Sequence, residues 1–374
     1  MTTFTPEEMA HATAVLNNVR DNWLAREGVT AVDLGFKWSQ GLMTGKLSIR
    51  VHVAQKRPLA ELTESELFPK EIEGIPVDII EAQYGLQLLP DSSQLEAAPE
   101  ARKSRYDPIP LGVSAGNSRI TAGTLGAKVY DAATLQPMAL SNWHVFAGSP
   151  AAAVGEPIWQ PGALDGGNSG DTFATLSRFL LGPYDAAVAQ LTGSRDVMSE
   201  TLDGDVIEDA AAPQLGMFVW KSGRTTERTQ GFIDGIKMTT SINYGAAGVR
   251  AIQDVVRIVP RPGAGNVEIS MGGDSGSVWV AEDSGKAVGL HFAGEVGNAP
   301  EHALATELQP VLDRLNVLMP AQRPSPPPPD PITDPVDPPP TPPPSDDTFP
   351  PPPQPTLFQR LWQSVRSFWQ NLFK

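Results

Sequence analysis

Nineteen of the chain's 37 prolines fall between residues 320 and 355. Proline lacks the backbone N–H that helices and central strands need, so a stretch this dense cannot join a packed core and extends as a polyproline spacer. Its five aspartates further oppose collapse. Everything that folds around a common core must therefore lie before residue 320 or so. Only a short ending, Leu357 to Lys374, follows the spacer. There, apolar residues at 357, 358, 361, 362, 365, 368, 369, 372 and 373 form the broad face of an amphipathic helix, and its charges are Arg360, Arg366 and Lys374 with no acid.

The rest of the composition narrows what the folded part can do. The formal net charge is −15, which opposes general nucleic-acid binding. There is no cysteine, so disulfides, thiol chemistry and cysteine zinc sites are excluded. The five histidines show no metal-ligand spacing, and neither metal nor cofactor is expected. The start lacks a basic segment followed by an apolar one, and no run is apolar for long enough to span a bilayer. A cytoplasmic protein is expected, with peripheral membrane attachment open through the tail.

The chain divides into parts. Residues 1–82 read as a small α+β domain. Thr5, Pro6 and Glu8 form a capping box before a helix with apolar positions at Met9, Ala12, Leu16, Val19 and Trp23. Two alternating strands follow, Val32 to Trp38 and Leu47 to Val53, then a short helix near Thr63–Leu67 and a strand near Val77–Ile80. His52 shares the polar face of its strand with Ser48 and Arg50 and is expected in solvent. Residues 83–105, polar and charged, read as a linker. Residues 106–319 carry short apolar runs separated by glycine-rich turns, which predicts a β-barrel or sandwich, closed by a helix over Glu307–Leu318. The spacer occupies 320–356 and the amphipathic helix 357–374.

The chemistry lies in 106–319. His144 follows an apolar strand within Ser141-Asn142-Trp143-His144-Val145. Asp185 opens another strand, and Ser275 sits in Gly272-Gly273-Asp274-Ser275-Gly276. A serine hydroxyl becomes a nucleophile only beside a base, and the base needs a carboxylate to fix its tautomer. These three residues supply those three groups. A tight turn at the glycines aims the N–H groups of Gly273 and Ser275 at one point, as an oxyanion hole requires. Each motif alone reads rather as a polar turn, a core histidine or a strand-start cap. The combination is the signal.

In that order, His then Asp then Ser, the motifs resemble the bacterial trypsin-like serine peptidases of the chymotrypsin fold. Lys221-Ser222-Gly223-Arg224-Thr225-Thr226 is similar to a segment of those bacterial members. The resemblance covers about 210 residues and implies two six-stranded antiparallel barrels, mainly β, with His144, Asp185 and Ser275 in the cleft between them. It implies peptide-bond hydrolysis through an acyl-enzyme, with a polypeptide as substrate. It also implies that Gly289–Gly294 hydrogen-bonds the substrate backbone and walls the primary pocket through His291, Phe292, Ala293 and Gly294, with Ile269 near the floor. His291 is similar to a pocket histidine of glutamate-specific members; alternatively it packs within the barrel. An apolar floor disfavours Lys or Arg, leaving acidic or small-to-medium apolar side chains as the expectation. The chain departs from digestive members in lacking disulfides and an activation site that would free a terminus for Asp274, and in placing bulky Trp143 before His144, where it would narrow the cleft.

Two function classes follow. One is an active serine endopeptidase. The other is a catalytically silent or self-processing peptide-binding scaffold on the same fold. In either, the tail attaches to a membrane, docks on a protein partner or folds back on its own domain; the spacer favours the first two.

Overall fold

The N-terminal helix forms where the capping box places it. In the computed structural model, which describes residues 4–87, 98–265, 267–296 and 300–324 with Pro353 and Thr356, Thr5 Oγ1 accepts the Glu8 N–H at 3.2 Å and Glu8 Oε2 accepts the Thr5 N–H at 2.8 Å. The helix runs Pro6–Leu24 and buries Ala12, Val15, Leu16 and Trp23. These join Val32, Leu34, Ile49 and Val51 from the hairpin Val29–Ser39 and Leu42–Val53. Strand Ile75–Glu81 lies parallel to the second hairpin strand. A single 3₁₀ turn, Glu64–Glu66, capped by Thr63, stands where a short helix was expected.

Six strands close a barrel in the order Phe218–Gly223, Val278–Ala281, Ala287–Glu295, Ala303–Glu307, Val249–Val259 and Glu227–Asn243, the last pairing back on the first. The closing strand is 17 residues long and outruns its barrel partner. Its surplus pairs with the N-terminal hairpin, Ala31 opposite Thr240 and Gly35 opposite Gly235. One sheet therefore continues from residues 29–81 into the barrel.

A second sheet has eight strands and includes Ala127–Asp131, Pro137–Ser141, Thr172–Leu181 and Asp185–Leu191. Their inward residues, among them Val129, Leu140, Phe173 and Val188, are fully buried. Helix Leu308–Leu315 is shorter than expected, because Asn316 turns left-handed at φ 51° and the chain continues as Val317–Leu318 against Ala127–Asp131. The mainly β, two-barrel architecture is thus present.

Two further expectations need correction. Ser48, Arg50 and His52 are all 0% exposed. Their face is polar yet covered: Arg50 donates to Asp33 and to Asp234 (2.9 Å), Arg257 donates to Asp234 at 2.5 Å, and the Tyr84 hydroxyl reaches His52 Nδ1 at 2.6 Å. Buried charges survive when paired in this way, so strand alternation marks two chemically different faces and not necessarily a wet one. The segment 83–105 is also no plain linker. Tyr84–Gly85 forms a strand, and helix Glu100–Lys103 buries Arg102 against Asp203 and Ser222. The tail 357–374, and the spacer beyond Pro324 apart from Pro353 and Thr356, lie outside the described residues. Among the described residues no helix is long and apolar enough to cross a membrane.

Candidate active site

His144 sits on a one-turn helix, Trp143–Phe146, directly after strand Pro137–Ser141. Trp143, Val145 and Phe146 are buried in the core, which leaves His144 as the residue of that turn facing outward. Trp143 packs edge-on against Tyr244 and does not stand in the cleft, contrary to the expected narrowing. Strand Asp185–Leu191 pairs with Pro137–Ser141, Ser141 opposite Ala187, and so brings Asp185 under the histidine.

Asp185 is wholly buried. Its Oδ2 lies 2.5 Å from His144 Nδ1, and its Oδ1 accepts the His144 backbone N–H at 3.2 Å. The Tyr244 hydroxyl donates to Oδ2 at 3.0 Å, and Asn142 Nδ2 donates to the Asp185 carbonyl at 2.8 Å. A buried acceptor-only carboxylate at Nδ1 selects the Nδ1–H tautomer and leaves Nε2 as the basic nitrogen. Burial, then the Asp185 charge, pushes the Tyr244 hydroxyl well above its ordinary pKa, so it stays a donor.

Ser275 lies in a turn that both barrels hold. Thr124 Oγ1 donates to the Gly273 carbonyl and the Thr124 N–H to the Ser275 carbonyl, each at 2.8 Å. From the second barrel, the Asp274 carboxylate accepts N–H groups from Thr225 (2.8 Å), Thr226 (3.1 Å) and Met271 (3.0 Å) and the Thr226 hydroxyl (2.6 Å). Lys221 Nζ stands 3.1 Å from Asp274, both side chains fully buried. Burial alone would raise the Asp274 carboxyl; Lys221 and these donors outweigh it and hold it below the usual carboxylate range. The internal Lys221 ammonium thus meets Asp274 without a freed chain terminus.

Gly273 takes φ 96°, and a Cβ there would lie 2.5 Å from Thr225 Oγ1, so the turn requires glycine. Among the described residues no acceptor takes the N–H of Gly273 or Ser275. Ser275 is 3% exposed and its Oγ has no hydrogen-bond partner. The structure therefore joins His144 to Asp185 directly and brings Ser275 against Gly123–Thr124. The position of a Cβ on Gly123 would be 2.5 Å from Val145 Cγ2 and 3.0 Å from the Ser275 carbonyl. No His144–Ser275 hydrogen bond is formed.

Of the expected pocket residues, Ile269, Phe292 and Ala293 are buried, and Gly294 pairs with both Ala303 and Gly85. His291 is fully buried and accepts from Trp279 Nε1 at 3.4 Å. Burial, reinforced by Lys221, pushes its imidazole down to about 3. It is a neutral N–H donor and not a cation. Glu268, Glu295 and Glu301 bring one carboxylate oxygen each within 4.8 Å of one another. Burial, then the hydrogen bond with Glu295, raises the Glu301 carboxyl, and its Oε1 accepts the N–H groups of Ile269 (2.9 Å) and Ser270 (3.2 Å). Sequence reasoning missed Tyr244, which carries no local motif, and the Asp274 partner Lys221, which lay inside a segment singled out for another reason.

No protein-family model matches the chain, and no curated protein matches it. Solved structures do. Nocardiopsis protease (NAPase) is 18% identical at a TM-score of 0.42, over 56% of this chain and 98% of its own. Thermobifida fusca protease A is 16% identical at 0.42, over 56% and 97%. A glutamic-acid-specific serine protease described as using a histidine triad in substrate binding is 17% identical at 0.43, over 56% and 100%.

Proposed function

We propose that the chain is a serine endopeptidase acting on polypeptides. The observation that carries this reading is the buried Asp185 carboxylate 2.5 Å from His144 Nδ1, together with a Ser275 turn that both barrels clamp. Ser275 Oγ attacks the scissile carbonyl carbon and its proton passes to His144 Nε2. Asp185 stabilises the imidazolium that results, and the N–H groups of Gly273 and Ser275 meet the oxyanion. Collapse of the tetrahedral intermediate breaks the C–N bond, His144 returning the proton to the leaving amine. Water then hydrolyses the acyl-enzyme by the same relay. Catalytic hydrogen bonds are often long in unliganded sites and tighten with substrate, which accommodates the unbonded Ser275 Oγ.

A second reading, a peptide-binding protein without turnover on the same fold, is favoured by that same unbonded hydroxyl. Fluorophosphonate labelling separates the two. The peptidase labels at Ser275 and loses both label and peptide hydrolysis in Ser275→Ala. A wild-type protein that never labels sinks the peptidase reading. For 357–374 the proposal remains attachment to an anionic membrane or a protein partner, resting on its aromatic, basic sequence; equal liposome sedimentation with and without these residues would remove the membrane half of it.

A further inference from the structure

Strand Ala287–Glu295 passes the Ser275 turn, where the Gly276 N–H donates to the His291 carbonyl at 3.0 Å, and runs on to an edge at Gly294. That edge is covered by the chain itself. Gly294 pairs antiparallel with Gly85 and Glu295 with Tyr84, and the Val296 N–H donates to the Gln83 carbonyl at 3.2 Å. An extended segment added to a sheet edge in this way is how peptides are commonly held. Here it lies on the very strand expected to bind the substrate backbone.

The next residues complete the correspondence. The Gln87 carboxamide lies between Ser270, which adjoins Ile269, and Gly294. Its Nε2 donates to the Ser270 carbonyl at 3.3 Å. A Cβ on Gly294 would lie 2.3 Å from that Nε2, so the absence of a side chain at 294 is what admits the amide. Three polar atoms at these walls are buried with no partner: Gln87 Oε1, Ser270 Oγ and His291 Nε2. The first accepts and the other two donate. The segment is also tied down at its other end, where the Tyr84 hydroxyl reaches His52 Nδ1 at 2.6 Å.

Charge selects among side chains of this length. Position 269 is isoleucine, and the Glu301 carboxyl beside it, pushed up to about 9 by burial, stays protonated near neutral pH, so a lysine or arginine head would be desolvated there without a charged partner. A glutamate in the place of Gln87 would set a carboxylate oxygen against the Ser270 carbonyl, which accepts from the amide Nε2 and would be left without that donor. A neutral carboxamide meets neither penalty.

We infer that Tyr84–Gln87 is an intramolecular occupant of the peptide-binding half of the cleft, and that the pocket between Ser270 and Gly294 accepts a glutamine side chain. The substrate class is an extended peptide presenting glutamine, and not glutamate, arginine or lysine, to this pocket. This replaces the expectation of an acidic or apolar preference. It rests on the peptidase reading for turnover, though not for binding.

Binding can be read without turnover in full-length Ser275→Ala protein. A fluorescein-labelled Tyr-Gly-Leu-Gln peptide is titrated by anisotropy into Ser275→Ala, Ser275→Ala/Gln87→Ala and Ser275→Ala/Gly85→Val. The new side chain in the last would meet Val296, since even a Cβ at Gly85 lies 2.8 Å from Val296 Cγ1. Releasing the occupant should tighten binding at least about tenfold in both double variants, because the competent fraction rises. Peptides ending in glutamate or arginine should bind the released forms at least about tenfold more weakly than the glutamine peptide. Equal affinity in all three proteins overturns the occupancy, and preference for the glutamate or arginine peptide overturns the pocket. Gln87→Ala, on a partly exposed segment, keeps the test available if Gly85→Val does not fold. Fluorophosphonate labelling of the Ser275 forms reports the peptidase reading separately.

Discussion

Among the described residues, two histidine–aspartate pairs have wholly buried aspartates, His144–Asp185 at 2.5 Å and His52–Asp33 at 3.1 Å. They differ at the second ring nitrogen and in what else the carboxylate meets. His52 Nδ1 is taken by the Tyr84 hydroxyl, and Asp33 also binds the Arg50 guanidinium. His144 Nε2 makes no hydrogen bond among the described residues, its side chain is 9% exposed, and Asp185 meets only neutral donors besides the ring. A carboxylate already neutralised by arginine has little charge left for an imidazolium. One satisfied by an N–H and a tyrosine hydroxyl keeps it. A His–Asp contact alone therefore does not mark a catalytic pair; the free nitrogen and the uncommitted negative charge are what suit His144–Asp185 to the proposed relay.

The sharpest way to break this contrast is to neutralise each aspartate. Asp185→Asn should lower kcat/KM for peptide hydrolysis by about 10⁴-fold, the scale of losing the correct tautomer in such a relay. Asp33→Asn should leave kcat/KM of the folded fraction within about threefold, under 1 kcal/mol in activation energy. Comparable losses in both would show that the two pairs are not different in kind.

The next effect is on stability. Asp234 accepts from Arg50, Arg257 and the Trp38 indole (3.2 Å), so Asp234→Ala strands buried cations. Urea unfolding should show a loss of about 3–5 kcal/mol. Lys221→Met strands Asp274 and should cost a similar amount, yet it should also reduce the rate, because Asp274 ties Thr225, Thr226 and Met271 around the Ser275 turn. If Asp234→Ala slows the folded enzyme as much as Lys221→Met does, the separation of structural from functional charge fails.

The contact of His144 with Asp185 was legible because it is written in local motifs. His144, Asp185 and Ser275 each carry neighbours that only make sense together, and the Thr5–Glu8 capping box and hairpin periodicity were equally plain. What was not legible depends on coverage. His52 reads as solvated because alternation reveals a polar face without revealing Tyr84 and the second barrel that cover it. Tyr84 and Gln87 read as linker because pairing with Gly294, more than two hundred residues away, leaves no periodic trace in four residues. Tyr244 contributes one hydroxyl from the end of a long strand, which no local pattern announces.

Acid should separate the pairs through His52. Burial, the largest influence, lowers its pKa in the fold, although Asp33 opposes this. The unfolded chain takes up the proton below about pH 6.5 while the folded one resists it, so the unfolded state binds more protons and stability falls as pH drops below that value. One such group contributes a slope of up to about 1.4 kcal/mol per pH unit. His52→Gln should therefore show a shallower fall in unfolding free energy between pH 6.5 and 5 than the wild type, with His291 and His302 common to both proteins. Identical slopes would mean that His52 accepts its proton in the fold.

The smallest effect tests whether the neutral donors on Asp185 matter at all. Tyr244→Phe removes one hydrogen bond to Oδ2 while the two from His144 remain. A hydroxyl that only fills space would change stability and leave the chemistry alone. One that positions the carboxylate loses about 1 kcal/mol of transition-state support, which is about fivefold in kcat with KM unchanged. The split matters more than the size. A rise in KM at constant kcat would place Tyr244 among the groups that shape the cleft. A fall in kcat alone places it behind Asp185, and explains why this carboxylate, unlike Asp33, is served by a phenol where the other has a guanidinium.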